Sequence, residues 1–486
     1  MNILFIYSLN TVGSLAKPLE SPEQIQFGIS YISSFLKKHG HKTKVAVLSR
    51  NSPENNINIL NEYLKIFSPK LVCFTAVSTE YPLAADLARY LKEKHPDIYL
   101  LIGGPHVSLN PDSVLPDSFD ALCLGEGENP VLELVSQLEN GVAPSGIPNL
   151  WIKQGFELEK NLPRPFLENL DSLPFPDREM WQEWIGERPG SRYAILAGRG
   201  CPFQCSYCSN HALKRLAPGS YVRFRSPENI VAEIKDIIAK FPVKKREIYL
   251  EVESFNANKE WAIGLCSELE HFNKTLEQPF SFGANLRIMP NADLESFFVA
   301  LEKANFKFIN IGLESGSERV RREILRRNYS NKDVTNAVTL AREHGLKVVF
   351  FNMIGLPCET LADFKETVKM NRICLPNQHF TSIFFPYPGT DVYSLCEKQG
   401  LLKESSGPEM ERMKATLDLP GFSKKQIQRS YILFDYYVYR GRKPMYKILG
   451  RVVRAYFTSK PRLIIFWKRL LRLPFFRSLR EKYGEY

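Results

Sequence analysis

Short apolar runs alternate with stretches of helical periodicity twice along this chain, and that alternation limits its fold more than any other feature. In the first series NILFIYS, TKVAVLS, LVCFTAV, IYLLIGG and FDALCLG read as strands within residues 1–140. Pro22 to Gly40 reads as a helix, with Ile25, Ile29, Ile32 and Leu36 at helical spacing. Apolar strands separated by helices form a parallel sheet covered on both faces. The first four strands end in Ser8, Ser49, Ser78 and Gly103-Gly104. Such small residues let a ligand approach the carboxyl edge. Prolines then crowd residues 141–190, which read as an extended connector. The second series, YAILAG, REIYLEV, PFSFGANL, FKFINIGL, LKVVFFNMIG and HFTSIFF, occupies residues 191–400. Six such strands fit a partial β/α barrel better than a second open sheet. Residues 401–486 break the alternation and read as a helical, basic extension, with helical signals over 423–457 and in RLIIFWKRLL. The expected fold class is α/β.

At 486 residues the chain is long enough for two or three domains with sizeable cores. No run of about 18 uncharged apolar residues appears, and MNILFIYSLN reads as a first strand rather than a signal peptide. A cytoplasmic address is expected. The net charge of +11 is unevenly placed: residues 439–486 hold fourteen Lys/Arg against two Glu, so the rest of the chain is near neutral. That argues against a nucleic-acid channel through the body and leaves a basic C-terminal surface suited to anionic headgroups or an acidic partner. The competing reading is a helical cap on the barrel with its cations in water.

Three of nine cysteines lie within eight residues, in GRGCPFQCSYCSN, directly after the strand YAILAG. The other six are scattered, several in apolar runs, and read as buried free thiols rather than a disulfide framework. The spacing C-x3-C-x2-C puts the thiolates of Cys201, Cys205 and Cys208 on one short loop. Three thiolates bind three corners of a four-iron cluster and leave one iron open, whereas electron-transfer clusters take four. An open position is what a cosubstrate needs. The alternative is a Cys3His zinc site completed by His211, although the spacing fits no common zinc template.

With Tyr207 before the last cysteine, this motif resembles the signature of the radical S-adenosylmethionine superfamily. The resemblance implies that the amino and carboxylate groups of the methionine moiety chelate the open iron. One electron from the cluster then cleaves the sulfonium to a 5′-deoxyadenosyl radical, which abstracts hydrogen. It places Tyr207 near adenine. INIGLESGSERVRREILRR is similar to the segment in which a Glu and a Ser approach the cosubstrate, which gives Glu314 and Ser315. MIGLPCET is similar to the fifth-strand turn near adenine, and FFPYPGTDVYSL to the sixth-strand ending. Arg287 is placed to meet a carboxylate or to form an ordinary salt bridge. The second-strand motif departs from the family pattern and reads Glu251-Val252-Glu253-Ser254, so either Glu251 or Glu253 contacts the methionine amino group. An electron donor such as flavodoxin or ferredoxin is implied.

FGISYISSFLKKHGHKTKVAVL, LIGGPHVSLNPDSVLP and FDALCLGEGENPVLELV are similar to the Rossmann- or flavodoxin-like cobalamin-binding domain that precedes many radical enzymes. Cobalamin is the cofactor implied. Ser78, Thr79, Gly103, Gly104, Gly125, Glu126 and Gly127 would line the corrin edge with backbone amides and hydroxyls. The D-x-H-x-x-G signature is absent, and His106 reads as a packed histidine rather than a cobalt ligand. The alternative is a degenerate domain that binds no cofactor.

Together these features lead to a cobalamin-dependent radical C-methyltransferase acting on a hydrophobic lipid, tetrapyrrole or natural product. Radical cyclisation, ring contraction or oxidation without methyl transfer is the alternative. A methylthiotransferase would need three further cluster cysteines in the N-terminal domain, where only Cys73 and Cys123 occur. A metal-stabilised, membrane-associated binding module is the reading from outside enzymology. Peripheral contact with the inner face of a membrane through the basic C-terminus is expected, and no nucleic-acid partner.

Overall fold

The computed structural model describes residues 1–9, 16–50, 52–186, 192–402 and 411–460. The chain forms two compact units, one of residues 1–204 and 208–284, the other of residues 205–207 and 285–486.

In the first unit β1 (Asn2–Leu9), β2 (Lys42–Ser49), β3 (Leu71–Thr75), β4 (Tyr99–Gly103) and β5 (Ala121–Cys123) pair in parallel in the order β2-β1-β3-β4-β5. This is the flavodoxin-like order, whose direction of winding reverses between β1 and β3. Both faces are covered, as the unbroken apolar strands require. Ile3 and Phe5 pack with Ile29 and Leu36 of the helix Phe27–Lys38, while Leu4 and Ile6 pack on the other face with Leu87 and Leu91 of the helix Tyr81–Lys94. Each such aliphatic side chain contributes about 1.5–3 kcal/mol by burial. The first helix starts later than its periodicity suggested. Pro22–Gln24 is a 3-10 turn, and Gln26 caps the helix by accepting from the Ile29 N–H at 2.6 Å.

Residues 141–190 differ from the expected extended connector. β6 (Leu150–Gln154) and β7 (Glu157–Lys160) add an antiparallel hairpin to the edge at β5. Further on, Trp181 is fully buried and donates from Nε1 to Ser30 Oγ at 2.8 Å, and Trp184 donates to the Val45 carbonyl at 3.0 Å. Two aromatic anchors bind this proline-rich segment, one to the helix Phe27–Lys38 and one to β2.

The six strands of the second series are all present. The first unit holds β8 (Tyr193–Leu196), the short pair β9 (Gly198–Arg199) and β10 (Arg223–Phe224), then β11 (Glu247–Glu251) and most of β12 (Ser281–Leu286). β11 lies parallel between β8 and β12. In the second unit β13 (Phe306–Glu314), β14 (Lys347–Ile354) and β15 (Gln378–Ile383) pair in parallel in that order. Helices Asn331–Glu343 and Leu361–Cys374 each open on a capping box, Ser330 with Asp333 and Thr360 with Asp363. The helical C-terminal extension is present as Lys424–Ile432, Phe434–Tyr439 and Met445–Thr458, whose Ile427, Phe434 and Ile448 share a core with Phe364 and Ile354. The expected helix in RLIIFWKRLL lies outside the described residues. Among the described residues no helix is long and apolar enough to cross a membrane.

Candidate functional site

At the carboxyl edge of β3, β4 and β5 the first unit encloses a cavity of about 300 Å³. Its floor is Thr75, Gly103, Gly104, Gly125 and Gly127, and its walls include Ile29, Tyr31, Ile32 and Val131. Gly104 has φ +98°, and a Cβ there would sit 2.8 Å from the Ala76 carbonyl oxygen. Only glycine fits that position without displacing backbone. Cys73 and Cys123 also line the space, and burial pushes the Cys123 thiol up to about 12, so both are neutral apolar surface.

The polar side chains at this cavity cancel one another. Arg199 reaches Glu126 at 3.0 Å and Glu128 at 2.6 Å, and Arg223 donates to Glu126 at 3.1 Å. Burial raises the Glu126 carboxyl, but Arg199 and Arg223 outweigh it and hold the group below its ordinary value. Glu126, expected to offer backbone to a ligand, therefore spends its side chain on two arginines. Ser78 and Thr79 are not among the cavity's lining. The Ser78 hydroxyl meets His106 Nδ1 at 3.1 Å, and Thr79 is buried with its carbonyl accepting from Arg50 at 3.2 Å. His106 packs on Tyr81, burial lowers its pKa, and its buried Nε2 has no hydrogen-bond partner among the described residues. Sequence reasoning missed Thr75, Tyr31, Arg199, Tyr221 and Arg223. The last three come from outside the N-terminal series, and nothing local ties them to it.

The cysteine loop begins at this same cavity, which Gly200 lines. Gly200 has φ +83°, and a Cβ there would fall 2.0 Å from the Tyr221 carbonyl oxygen. The antiparallel pair β9–β10 ties the loop's base. Cys201 and Cys208 are partly exposed and Cys205 is buried, all as free thiols. Tyr221 bonds Asn210 Oδ1 at 2.6 Å, and the Asn210 amide lies 3.8 Å from Cys208 Sγ. Burial raises the Tyr221 phenol, and the charges of Glu253, Cys208 and Cys201 add to the rise. Among the described residues no three His, Cys, Asp or Glu side chains converge as they would on a single metal ion. Ligands of a cubane bind different irons and need not converge on one point.

At the end of β11, Glu251 is half-buried. Burial, then the charges of Glu253 and Glu23, raise it to about 7. Glu253 is exposed. Neither sequence candidate has an ion pair among the described residues, and Glu251, the less exposed and the one raised by burial, would gain more from a cation.

The second unit holds a polar group of different construction. β13 bulges between Gly312 and Glu314, and Glu314 has φ +57°, a strained conformation for a residue with a Cβ. Tyr207 donates to Glu314 Oε1 at 3.0 Å and accepts from Arg327 Nη2 at 2.7 Å. Arg327 also pairs with Glu314 at 3.3 Å and donates to the Gly312 carbonyl at 2.6 Å. Burial alone would lower the Arg327 guanidinium, but Tyr207, Tyr329, Glu314 and Cys205 raise it well above its ordinary value. Tyr207 and Glu314, both expected, are thus brought together by an arginine that sequence reasoning missed. Ser315 is fully buried, and its hydroxyl meets Thr367 Oγ1 at 3.3 Å and the Ser317 N–H at 3.2 Å, bracing the loop. Arg287 donates from Nη1 to Cys205 Sγ at 2.9 Å.

Two family models match: the radical SAM superfamily over residues 195–370 and the B12 binding domain over residues 22–135. The chain thus carries a radical SAM domain and, ahead of it, a B12-binding domain. It is 26% identical to an uncharacterized methyltransferase of Pyrococcus horikoshii over 87% of this chain and 88% of that one. It is also 26% identical to the anaerobic magnesium-protoporphyrin IX monomethyl ester cyclase of Rubrivivax gelatinosus, over 75% of this chain and 65% of that one. Among solved structures, the radical SAM methyltransferase TsrM from Kitasatospora setae, with cobalamin and a [4Fe-4S] cluster bound, superposes with a TM-score of 0.63 at 18% identity. That match covers 84% of this chain and 76% of that one, and it shows a shared fold.

Proposed function

We propose that this chain is a cobalamin-dependent radical S-adenosylmethionine enzyme that methylates an unactivated carbon of a hydrophobic lipid, tetrapyrrole or natural product. The observation that carries the reading is Gly200. It starts the three-cysteine loop and also lines the small-residue cavity at the carboxyl edge of the N-terminal sheet. One chain segment thus serves two cofactor sites.

When bound, the cluster, the sulfonium cosubstrate and cobalamin supply the one-electron cleavage and the transferred methyl group. The protein's part is to hold, orient and exclude water. On this reading Cys201, Cys205 and Cys208 hold three irons. Arg287 sets the charge on the Cys205 sulfur. Tyr207 and Glu314, fixed by Arg327, orient the cosubstrate, and Glu251 receives its ammonium. Gly103, Gly104, Gly125 and Gly127 admit the corrin edge. The reductant is a flavodoxin or ferredoxin. The protein works in the cytoplasm, peripheral to the inner face of the membrane.

The test is anaerobic, reconstituted protein assayed for 5′-deoxyadenosine and S-adenosylhomocysteine. Both products are expected. Cys205→Ala should lower deoxyadenosine by at least about 1,000-fold, since a cluster missing a ligand loses the redox centre. Unchanged cleavage in that variant, or zinc in place of iron and sulfide, contradicts the assignment. The likeness to the cyclase favours a second reading, radical cyclisation or oxidation, which predicts deoxyadenosine without S-adenosylhomocysteine.

A further inference from the structure

The helix Met445–Thr458 has two apolar faces, and the fold uses one. Ile448 is buried in the core with Phe434 and Tyr439. Elsewhere on the helix Met445, Tyr446, Leu449, Val453 and Tyr456 are exposed, from 41% at Tyr456 to 64% at Tyr446. At about 100° per residue these five fall within one arc of roughly 100°. Single exposed apolar side chains are ordinary, but five on one arc make a patch.

The chemistry around the patch selects its occupant. From Tyr436 to Arg480 the chain has thirteen Lys/Arg and no Asp or Glu. Arg442, Lys443, Arg454 and Lys460 are exposed beside the stripe, and Lys460 Nζ lies 2.6 Å from the Tyr456 hydroxyl. Tyr446 and Tyr456 stand near the stripe's two ends, the position amphipathic rings take at a headgroup layer. Fourteen residues span about 21 Å, too short to cross a bilayer and suited to lying in its surface. A surface that is anionic in its headgroups and apolar beneath meets both requirements along the whole stripe.

We propose that the exposed face of Met445–Thr458 seats the enzyme on an anionic lipid bilayer. This deepens the peripheral location given above and does not depend on the radical chemistry. The full-length protein is sedimented with phosphatidylcholine vesicles, with or without about 30% phosphatidylglycerol. Wild-type protein is expected to partition at least tenfold more strongly to the anionic vesicles, less so at high salt. Leu449→Glu combined with Val453→Glu should lower that partition at least tenfold with an unchanged melting temperature, the positions being exposed. Arg454→Gln should lower it about fivefold. Three results overturn the proposal. One is no preference for anionic vesicles. Another is undiminished binding by the double variant, which would assign binding to residues 461–486. The last is a dimer in sedimentation velocity that the double variant loses, without vesicle binding. Iron content and deoxyadenosine formation are read separately, and their failure with vesicle binding intact concerns only the proposed reaction.

Discussion

The cavity edge of the first unit and the Tyr207–Glu314–Arg327 group of the second solve opposite problems. At the cavity, Glu126 and Glu128 pair with Arg199 and Arg223, so the charges that line it compensate one another and the rest of the lining is uncharged. Three of the four charges there have a second partner: Arg199 touches both acids, Glu126 meets both arginines, and Arg223 also donates to the Leu167 carbonyl at 2.8 Å. In the second unit a single buried arginine holds one acid on a strained bulge. The cavity selects by shape, with its charges neutralised among themselves. The bulge fixes one carboxylate in place between an arginine and a tyrosine hydroxyl.

That difference sets the expected cost of removing one charge from each. Arg327→Met leaves Glu314 buried with only the Tyr207 hydroxyl and strips the Gly312 carbonyl of a donor. A loss of about 3–5 kcal/mol is expected in urea unfolding, with deoxyadenosine formation down at least about 100-fold. Glu126→Gln leaves Arg199 on Glu128 and Arg223 on its carbonyls, and should cost about 1–2 kcal/mol. Equal losses in the two variants would erase the contrast.

Glu251 received neither an arginine nor a strained backbone, and its pKa of about 7 reflects that. Its folded pKa lies above the unfolded value, so the native state keeps a proton that the unfolded chain releases between about pH 4.5 and 7. Native stability falls through that window and stays lower above it. Glu251→Gln should therefore be as stable as wild type at pH 4 and about 2–3 kcal/mol more stable at pH 8, read from urea midpoints. A variant that loses stability at pH 8 would mean the native carboxylate has a partner at that pH.

The two regions were also unequally legible. Alternating apolar runs are a local signal, and they marked the five parallel strands and the glycines at their ends. The cysteine motif is equally local, and with it came Tyr207. The charge pairs were not readable, because Arg199 and Glu126 are 73 residues apart and Arg327 and Tyr207 are 120 apart. Nothing in either neighbourhood encodes the other. The contacts of Ser78, Thr79 and Ser315 were hidden for a related reason. A hydroxyl at a strand end serves a ligand or the loop equally well, and only packing decides that Ser315 meets Thr367 and that Ser78 meets His106. The hairpin β6–β7 was hidden by the prolines on both sides of it.

The smallest effect tests whether shape alone governs the cavity. Gly104→Ala adds one methyl group at φ +98°, with a backbone oxygen 2.8 Å from the new Cβ. The strain should cost about 1–3 kcal/mol of stability, because that oxygen belongs to Ala76 and cannot swing aside as a side chain would. No charge changes, so the paired arginines and the raised Glu251 are untouched. If the floor admits a corrin edge by its lack of side chains, cobalamin binding followed by absorbance should weaken about tenfold, while cosubstrate cleavage by the reconstituted cluster changes by less than about threefold. Cleavage falling in step with cobalamin binding would mean that the glycine edge also shapes the cysteine loop. The cavity would then be no simple shape-selective pocket, and the division between the two constructions would need to be redrawn around Gly200.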